Sequence, residues 1–160
     1  MGDLNEFQTG MRLFLKAYPW RRIDPVPWTP LRRPLADSRL ALVSSAGFAM
    51  PDQEPFDGSR RGGDPSFREI PGDADPSSLV DSHRSQTFDH SGMQGDANLA
   101  FPLDRARELA ASGRIGSLTR HHLSFMGGIT APGRLTKRTA PEAVSRLVAD
   151  GADVALLVPV

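Results

Sequence analysis

Leu4, Phe7, Met11, Phe14 and Tyr18 recur at spacings of three and four, which places them on one face of an amphipathic helix that needs a surface to cover. Pro19 ends that helix. From there to Ser38 five prolines fix φ and remove backbone donors, so an extended arm wrapping the domain is predicted. Leu40 to Ser44, closing in Ser45, Ala46 and Gly47, has the composition of a buried strand feeding a tight turn. Residues 51–82 then turn polar and carry the turn signals Gly62-Gly63-Asp64-Pro65 and Pro71-Gly72-Asp73; only Phe67 to Ile70 suits a short strand. Such a stretch either frames a functional surface or lacks fixed structure, and both readings stay open.

The helical period returns at Phe101-Pro102-Leu103-Asp104, where proline suits a first turn and Asp104 complements the amino-terminal partial charge. Leu103, Ala106, Leu109 and Ala110 form the apolar face, and Gly113 closes the helix. His122 to Met126 reads as a strand leading to Gly127-Gly128. Thr139-Ala140-Pro141-Glu142 matches a capping box, the threonine oxygen taking an early N–H while the glutamate reaches back. Val144, Leu147 and Val148 line that helix, Gly151 ends it, and Asp153 to Val160 follows as an apolar run. Entered by a short glycine turn, this run reads as a central strand of a parallel sheet covered on both faces.

The predicted class is α/β: an incomplete open, mostly parallel sheet with flanking helices in residues 39–160, preceded by the amphipathic helix and proline-rich arm in residues 1–38. A central strand needs neighbours, and the sequence ends on this one. A truncated sheet of marginal stability is therefore expected.

Charge narrows the function. Nineteen basic and nineteen acidic residues cancel, leaving no net field to hold a polyanion or an anionic membrane, so neither nucleic acid nor membrane is expected as a partner. Arginine pairs near tryptophan (Trp20, Arg21, Arg22; Trp28, Arg32, Arg33) read as side chains solvating and stacking on the arm rather than as a phosphate patch. The chain has no cysteine, which excludes disulfides, thiolate metal sites and thiol chemistry within it. Asp3 and Glu6 stand where a secretory signal carries positive charge, and no apolar run approaches the roughly 18 residues of a membrane span. A soluble cytoplasmic protein is expected.

Polar candidates cluster at predicted loop ends. Ser44, Ser45 and Gly47 finish the first strand; their N–H groups either hold a carboxylate or phosphate, given a following helix, or simply form a small-residue turn. His83, Asp89 and His90 lie in one glycine- and serine-flanked loop, where a histidine beside a carboxylate can donate a proton near neutral pH; ordinary loop hydrogen bonding is the alternative. His83, His90, His121 and His122 show no recognisable zinc-ligand spacing, so no metal is expected. Gly127-Gly128 with Arg134, Lys137 and Arg138 lacks a phosphate-loop pattern and reads as a solvated basic loop. Neither Ser44 nor Ser45 has a histidine at a triad spacing.

Leu40-Ala-Leu-Val-Ser-Ser-Ala-Gly47, Phe88-Asp-His90 with Asp96-Ala-Asn98, Phe101-Pro-Leu-Asp104, Gly113-Arg-Ile-Gly116 and Ala149 to Val160 together resemble the selenoprotein B subunit family of the glycine, sarcosine, betaine and D-proline reductases. Each motif alone is common in α/β proteins; their order and spacing together are specific. The resemblance implies reductive cleavage of a small amino-acid-type substrate, coupled to a dithiol/disulfide pair. A pyruvoyl group in a partner subunit activates the substrate amine, while selenocysteine in this subunit attacks carbon. This chain itself is expected to bind no cofactor. The resemblance puts the selenocysteine or cysteine directly after the segment ending at Val160, which suggests a recoded UGA there and an inactive fragment as the sequence stands. Ser44, Ser45, Gly47, His83, Asp89, His90, Asn98 and Val160 are the expected site-lining residues. The other function class is a non-catalytic regulatory or scaffold domain that binds a partner through the amino-terminal helix and arm.

Overall fold

The computed structural model describes residues 7–19, 22–85 and 90–160, which fall in two compact units, Met1–Pro30 and Leu31–Val160. The first carries α1 (Thr9–Ala17), the predicted amphipathic helix. It ends where Tyr18 turns extended before Pro19, the Tyr18 N–H donating to the Phe14 carbonyl at 2.9 Å and the two rings 5.6 Å apart. Leu4, Trp20 and Arg21 lie outside the described residues.

The second unit is the predicted α/β layer structure. Its strands are β1 (Arg39–Ser44), β2 (Phe48–Ala49), β3 (Phe67–Pro71), β4 (Val80–Asp81), β5 (Ser117–Leu118), β6 (His121–Phe125) and β7 (Val154–Val158). Its helices are α2 (Ser91–Gly95), α3 (Leu103–Ala111) and α4 (Ala140–Ala149). In the main sheet β1 pairs in parallel with β5 and β6 on one side and with β7 on the other, and β3 runs antiparallel to β6. β2 and β4 form a small antiparallel pair.

The two-residue period of β1 sorts the core. Leu40 and Leu42 face a cluster with Phe48, Ile70, Met93, Phe101, Leu103 and Ala106, which the segment through α3 covers. Ala41 faces the opposite side, where Ala143 and Leu147 of α4 close over Leu123. Gly113 and Gly151, at φ +71° and +79°, end α3 and α4 in the left-handed conformation that the sequence places there.

Between β5 and β6 the edge facing β1 is interrupted at Thr119-Arg120, and a side chain fills the gap. The Leu42 N–H donates to His122 Nδ1 at 3.0 Å, so the imidazole stands in for a ladder carbonyl. The polar stretch 51–82 is held by Asp64, whose carboxylate accepts from the Asp57 and Ser66 N–H groups and from the Ser66 hydroxyl. Burial alone would raise the Asp64 pKa, but these hydrogen bonds hold it below the usual carboxylate value. Asp64 thus ties Asp57 and Ser66 of that stretch together.

Two expectations are corrected. The capping box at Thr139 does not form: residues 133–139 are already helical, with a wide π-turn over Leu135–Thr139, and the Thr139 hydroxyl bonds back to the Leu135 carbonyl at 3.4 Å. Pro141 supplies the reason, since it has no N–H for the carbonyl four residues earlier and its ring needs room there. Within the described residues β7 is neither flanked on both sides nor covered on both faces. Among the described residues it pairs only with β1, and Leu156 and Leu157 stay 46% and 68% exposed. Apolar composition sets a strand's tendency to be buried, not which neighbours it meets. No helix among the described residues is long and apolar enough to cross a membrane.

Candidate functional site at the strand tips

Because β1, β6 and β7 are mutually parallel, their carboxyl ends, Ser44, Phe125 and Val158, share one edge of the sheet, where open α/β sheets place their ligands and reacting groups. Ser45 ties that edge together. Its N–H donates to the Val158 carbonyl at 3.1 Å, and its hydroxyl accepts from the Val160 N–H at 2.8 Å while reaching the Val160 carbonyl at 3.3 Å. One side chain thus clamps Val160, the second residue after β7. The Ser45→Ala variant is expected to lose about 1 kcal/mol, read as roughly fivefold faster hydrogen exchange at the Val160 amide; unchanged exchange would refute the clamp.

Ser44 faces inward. Its buried hydroxyl donates to the Ala100 carbonyl at 2.6 Å and accepts from the Ala46 N–H at 3.1 Å, anchoring the segment before α3. No helix follows Gly47; β2 does, and the Gly47 N–H donates to the Phe125 carbonyl at 2.8 Å. The N–H groups of residues 45–47 are therefore taken up within the fold, which makes this segment a small-residue turn and not an anion cradle. Gly47 has φ +71°, and a Cβ there would stand 3.0 Å from the His83 backbone.

His83 is 9% exposed and lies against the other glycine of the site. A Cβ on Gly127 would stand 2.7 Å from His83 Nε2 and 3.2 Å from the carbonyl oxygens of both Ser45 and Val160. The imidazole, the first strand's tip and the last strand's tip therefore converge on one point beside Gly127. Burial first, then the charge of His90, lowers the His83 pKa, against an opposing pull from Asp81. Burial thus favours the neutral imidazole of His83.

Among the described residues Asp81 is the carboxylate that meets His90, with Oδ2 2.5 Å from Nδ1; Asp89 lies outside them. Reading carboxylate and histidine by adjacency in sequence passes over Asp81, although Asp-Ser-His carries a signal for it: the His83 N–H donates to Asp81 Oδ1, an Asx-turn. Asn98 acts elsewhere. Its side-chain oxygen accepts from the Asp104 N–H at 2.9 Å and its amide donates to Asp96 and Asp104, so it caps α3 and makes no bond to the Ser45–Val160 clamp. Arg134, Lys137 and Arg138 point to solvent from the helical turns before α4. Among the described residues no group of three or more His, Asp or Glu is placed to hold a metal ion.

Beside the clamp lies an open groove of about 720 Å³, lined mainly by apolar groups of Val43, Phe125, Ile129, Leu135, Leu157 and Pro159. Residues 9–159 of the chain match the family described as Glycine/sarcosine/betaine reductase selenoprotein B (GRDB). The chain belongs to this selenoprotein B family. It is 38% identical over 136 residues to the D-proline reductase subunit gamma of Acetoanaerobium sticklandii (strain ATCC 12662), a match covering 84% of this chain and 54% of that protein. The chain thus spans about half the length of this relative. No solved structure matches it.

Proposed function

We propose that this chain builds the strand-tip framework of the redox subunit in a cytoplasmic reductase complex of the glycine, sarcosine, betaine or D-proline type, with the reacting selenocysteine or cysteine directly after Val160. The supporting observation is the Ser45 clamp, which fixes Val160 beside His83 and the apolar groove at the shared edge of three parallel strand tips. A residue following Val160 would leave the clamp at the place where α/β sheets gather reacting groups.

The division of labour follows from that placement. Ser45 holds the backbone on the amino side of the reacting residue, so its side chain starts from a fixed position. The open groove beside it presents mainly apolar walls, a surface suited to a soft nucleophile. The substrate, a small amino-acid-type molecule, would come from a partner subunit, where a pyruvoyl group would supply activation of its amine. The selenolate or thiolate of this subunit would bond to the carbon that bears the nitrogen as the C–N bond breaks and the nitrogen leaves with its electron pair, and a dithiol would supply the two electrons that free the chalcogen, ending as a disulfide.

Two measurements test this reading. The codon after that of Val160 is expected to be UGA or a cysteine codon; UAA, UAG or any other sense codon would sink the proposal and favour a partner-binding role. The 160-residue chain, which contains no cysteine, is expected to show no dithiol-dependent cleavage of glycine, sarcosine, betaine or D-proline with its partner subunits, whereas the chain carrying the redox residue does. Turnover by the cysteine-free chain would overturn it.

A further inference from the structure

Near the strand tips four hydrogen bonds close a ring through Asp81 at the end of β4, His83, Ser85 and His90. Asp81 Oδ1 accepts from the His83 N–H at 2.9 Å, and Asp81 Oδ2 faces His90 Nδ1 at 2.5 Å. His90 Nε2 lies 2.6 Å from the Ser85 carbonyl oxygen, and the Ser85 N–H donates to His83 Nδ1 at 3.1 Å, which returns the ring to its start. The proton positions follow from the chemistry of the partners. A carbonyl oxygen only accepts, so His90 Nε2 carries a proton, and the carboxylate favours a second one on Nδ1. His83 Nδ1 accepts a backbone N–H, so a neutral His83 carries its proton on Nε2.

Nε2 is the ring atom of His83 that faces the site. The point 2.7 Å from it beside Gly127 is also 3.2 Å from the carbonyl oxygen of Val160, the group through which the chain passes to the following residue. The sheet thus supplies the clamp, through Ser45, and the loop supplies an oriented N–H on the same spot.

We propose that the ring formed by Asp81, His90 and Ser85 positions His83 as a neutral Nε2–H donor to the thiolate or selenolate that follows Val160. His83 touches the reacting atom, while Asp81 and His90 act through it as positioning residues. The inference rests on the functional reading above for the identity of the acceptor; the ring and its tautomer stand on the loop geometry alone. Burial and the charge of His90 favour the neutral form, while Asp81 opposes and Arg84 adds to the shift. A donor of this kind stabilises the ionised chalcogen and makes it reactive at neutral pH.

The test has two arms. In the 160-residue chain, the ring nitrogen shifts of His83 in a histidine-labelled NMR sample are expected to report the Nε2–H tautomer at pH 7, and Asp81→Asn to mix the tautomers. An Nδ1–H tautomer in the unsubstituted chain overturns the proposal, whatever the next codon proves to be. In the full coding frame with cysteine after Val160, the pH profile of iodoacetamide alkylation is expected to have its midpoint below the ordinary thiol value. His83→Leu is expected to slow alkylation at pH 7 about tenfold, and His83→Gln, whose amide presents a donor near the same place, to recover most of that loss. Equal rates in all three proteins overturn the proposal. If His83→Leu fails to fold, the His83→Gln and Asp81→Asn profiles decide: the first stays near that of the parent and the second shifts toward the ordinary thiol. Absence of dithiol-dependent turnover alongside these shifts would instead count against the functional reading, so the two failures are distinguishable.

Discussion

Phe101→Ala is expected to remove about 3–5 kcal/mol of folding stability, a large share of the roughly 5–15 kcal/mol that holds a typical domain together. Phe101 is fully buried, packs with Leu42, Ile70 and Leu103, and lies edge-on to His122 with ring centres 6.2 Å apart. It also follows Ala100, whose carbonyl accepts the Ser44 hydroxyl, so the cavity would open beneath the first strand's tip. Denaturant unfolding should show a lower midpoint with an unchanged slope. Leu157→Ala, at a position 68% exposed in the same sheet, should stay within about 0.5 kcal/mol. A loss of less than about 1 kcal/mol for Phe101→Ala would mean that the segment before α3 does not seal this core.

Acid should unfold the protein through His122. Its ring is fully buried, Nδ1 accepts the Leu42 N–H and faces the Thr119 hydroxyl at 3.2 Å, and Nε2 has no hydrogen-bond partner among the described residues. Burial above all, with the charge of Arg107 next, lowers its pKa from 6.5 to about 4, against the pull of Asp150. Above pH 6.5 folded and unfolded chains both carry it neutral, and its contribution is complete. Between pH 6.5 and about 4 the unfolded chain binds a proton that the folded one refuses, so stability falls with pH by a total of about 3 kcal/mol. His83, also lowered, acts in the same direction. Unfolding midpoints at pH 7.0, 5.5 and 4.5 check this against His122→Asn, which keeps an acceptor for the Leu42 N–H and cannot titrate. The variant should be flatter across that range, and an equal slope in both proteins would remove His122 as the cause.

His122 also shows where reading by pattern stops. Its place in a strand was legible from the run His122 to Met126, and β6 forms there. That its imidazole replaces a carbonyl in the ladder of β1 depends on the break at Thr119-Arg120, which has no signature in the period of apolar residues. Thr139 fails in the opposite way: a local motif was present, but Pro141 and the helical turns before it left its hydroxyl inside a helix.

At the site, Ser45 and Val160 were picked out as ends of apolar runs, 115 positions apart in sequence, and they meet because β1 and β7 pair in parallel and in register from Leu40 and Val154 onward. His83 and His90 were picked out by residue type. Asp81, which meets His90 from nine residues earlier, was not picked out, because separation along the chain does not show which groups meet in space.

By itself the sequence determined the alternation of apolar strands and helices, the glycines that end α3 and α4, the mostly parallel α/β class and the family resemblance. These are set by local periodicity and by steric limits on single residues, which act over a few positions. Tertiary structure alone decided that β7 pairs only with β1 among the described residues, that Gly127 must lack a side chain because His83, Ser45 and Val160 crowd one point, and that Asp81 orients the loop. Those facts depend on groups brought together from distant parts of the chain, and pairing in space is settled by packing and hydrogen-bond satisfaction across the whole fold.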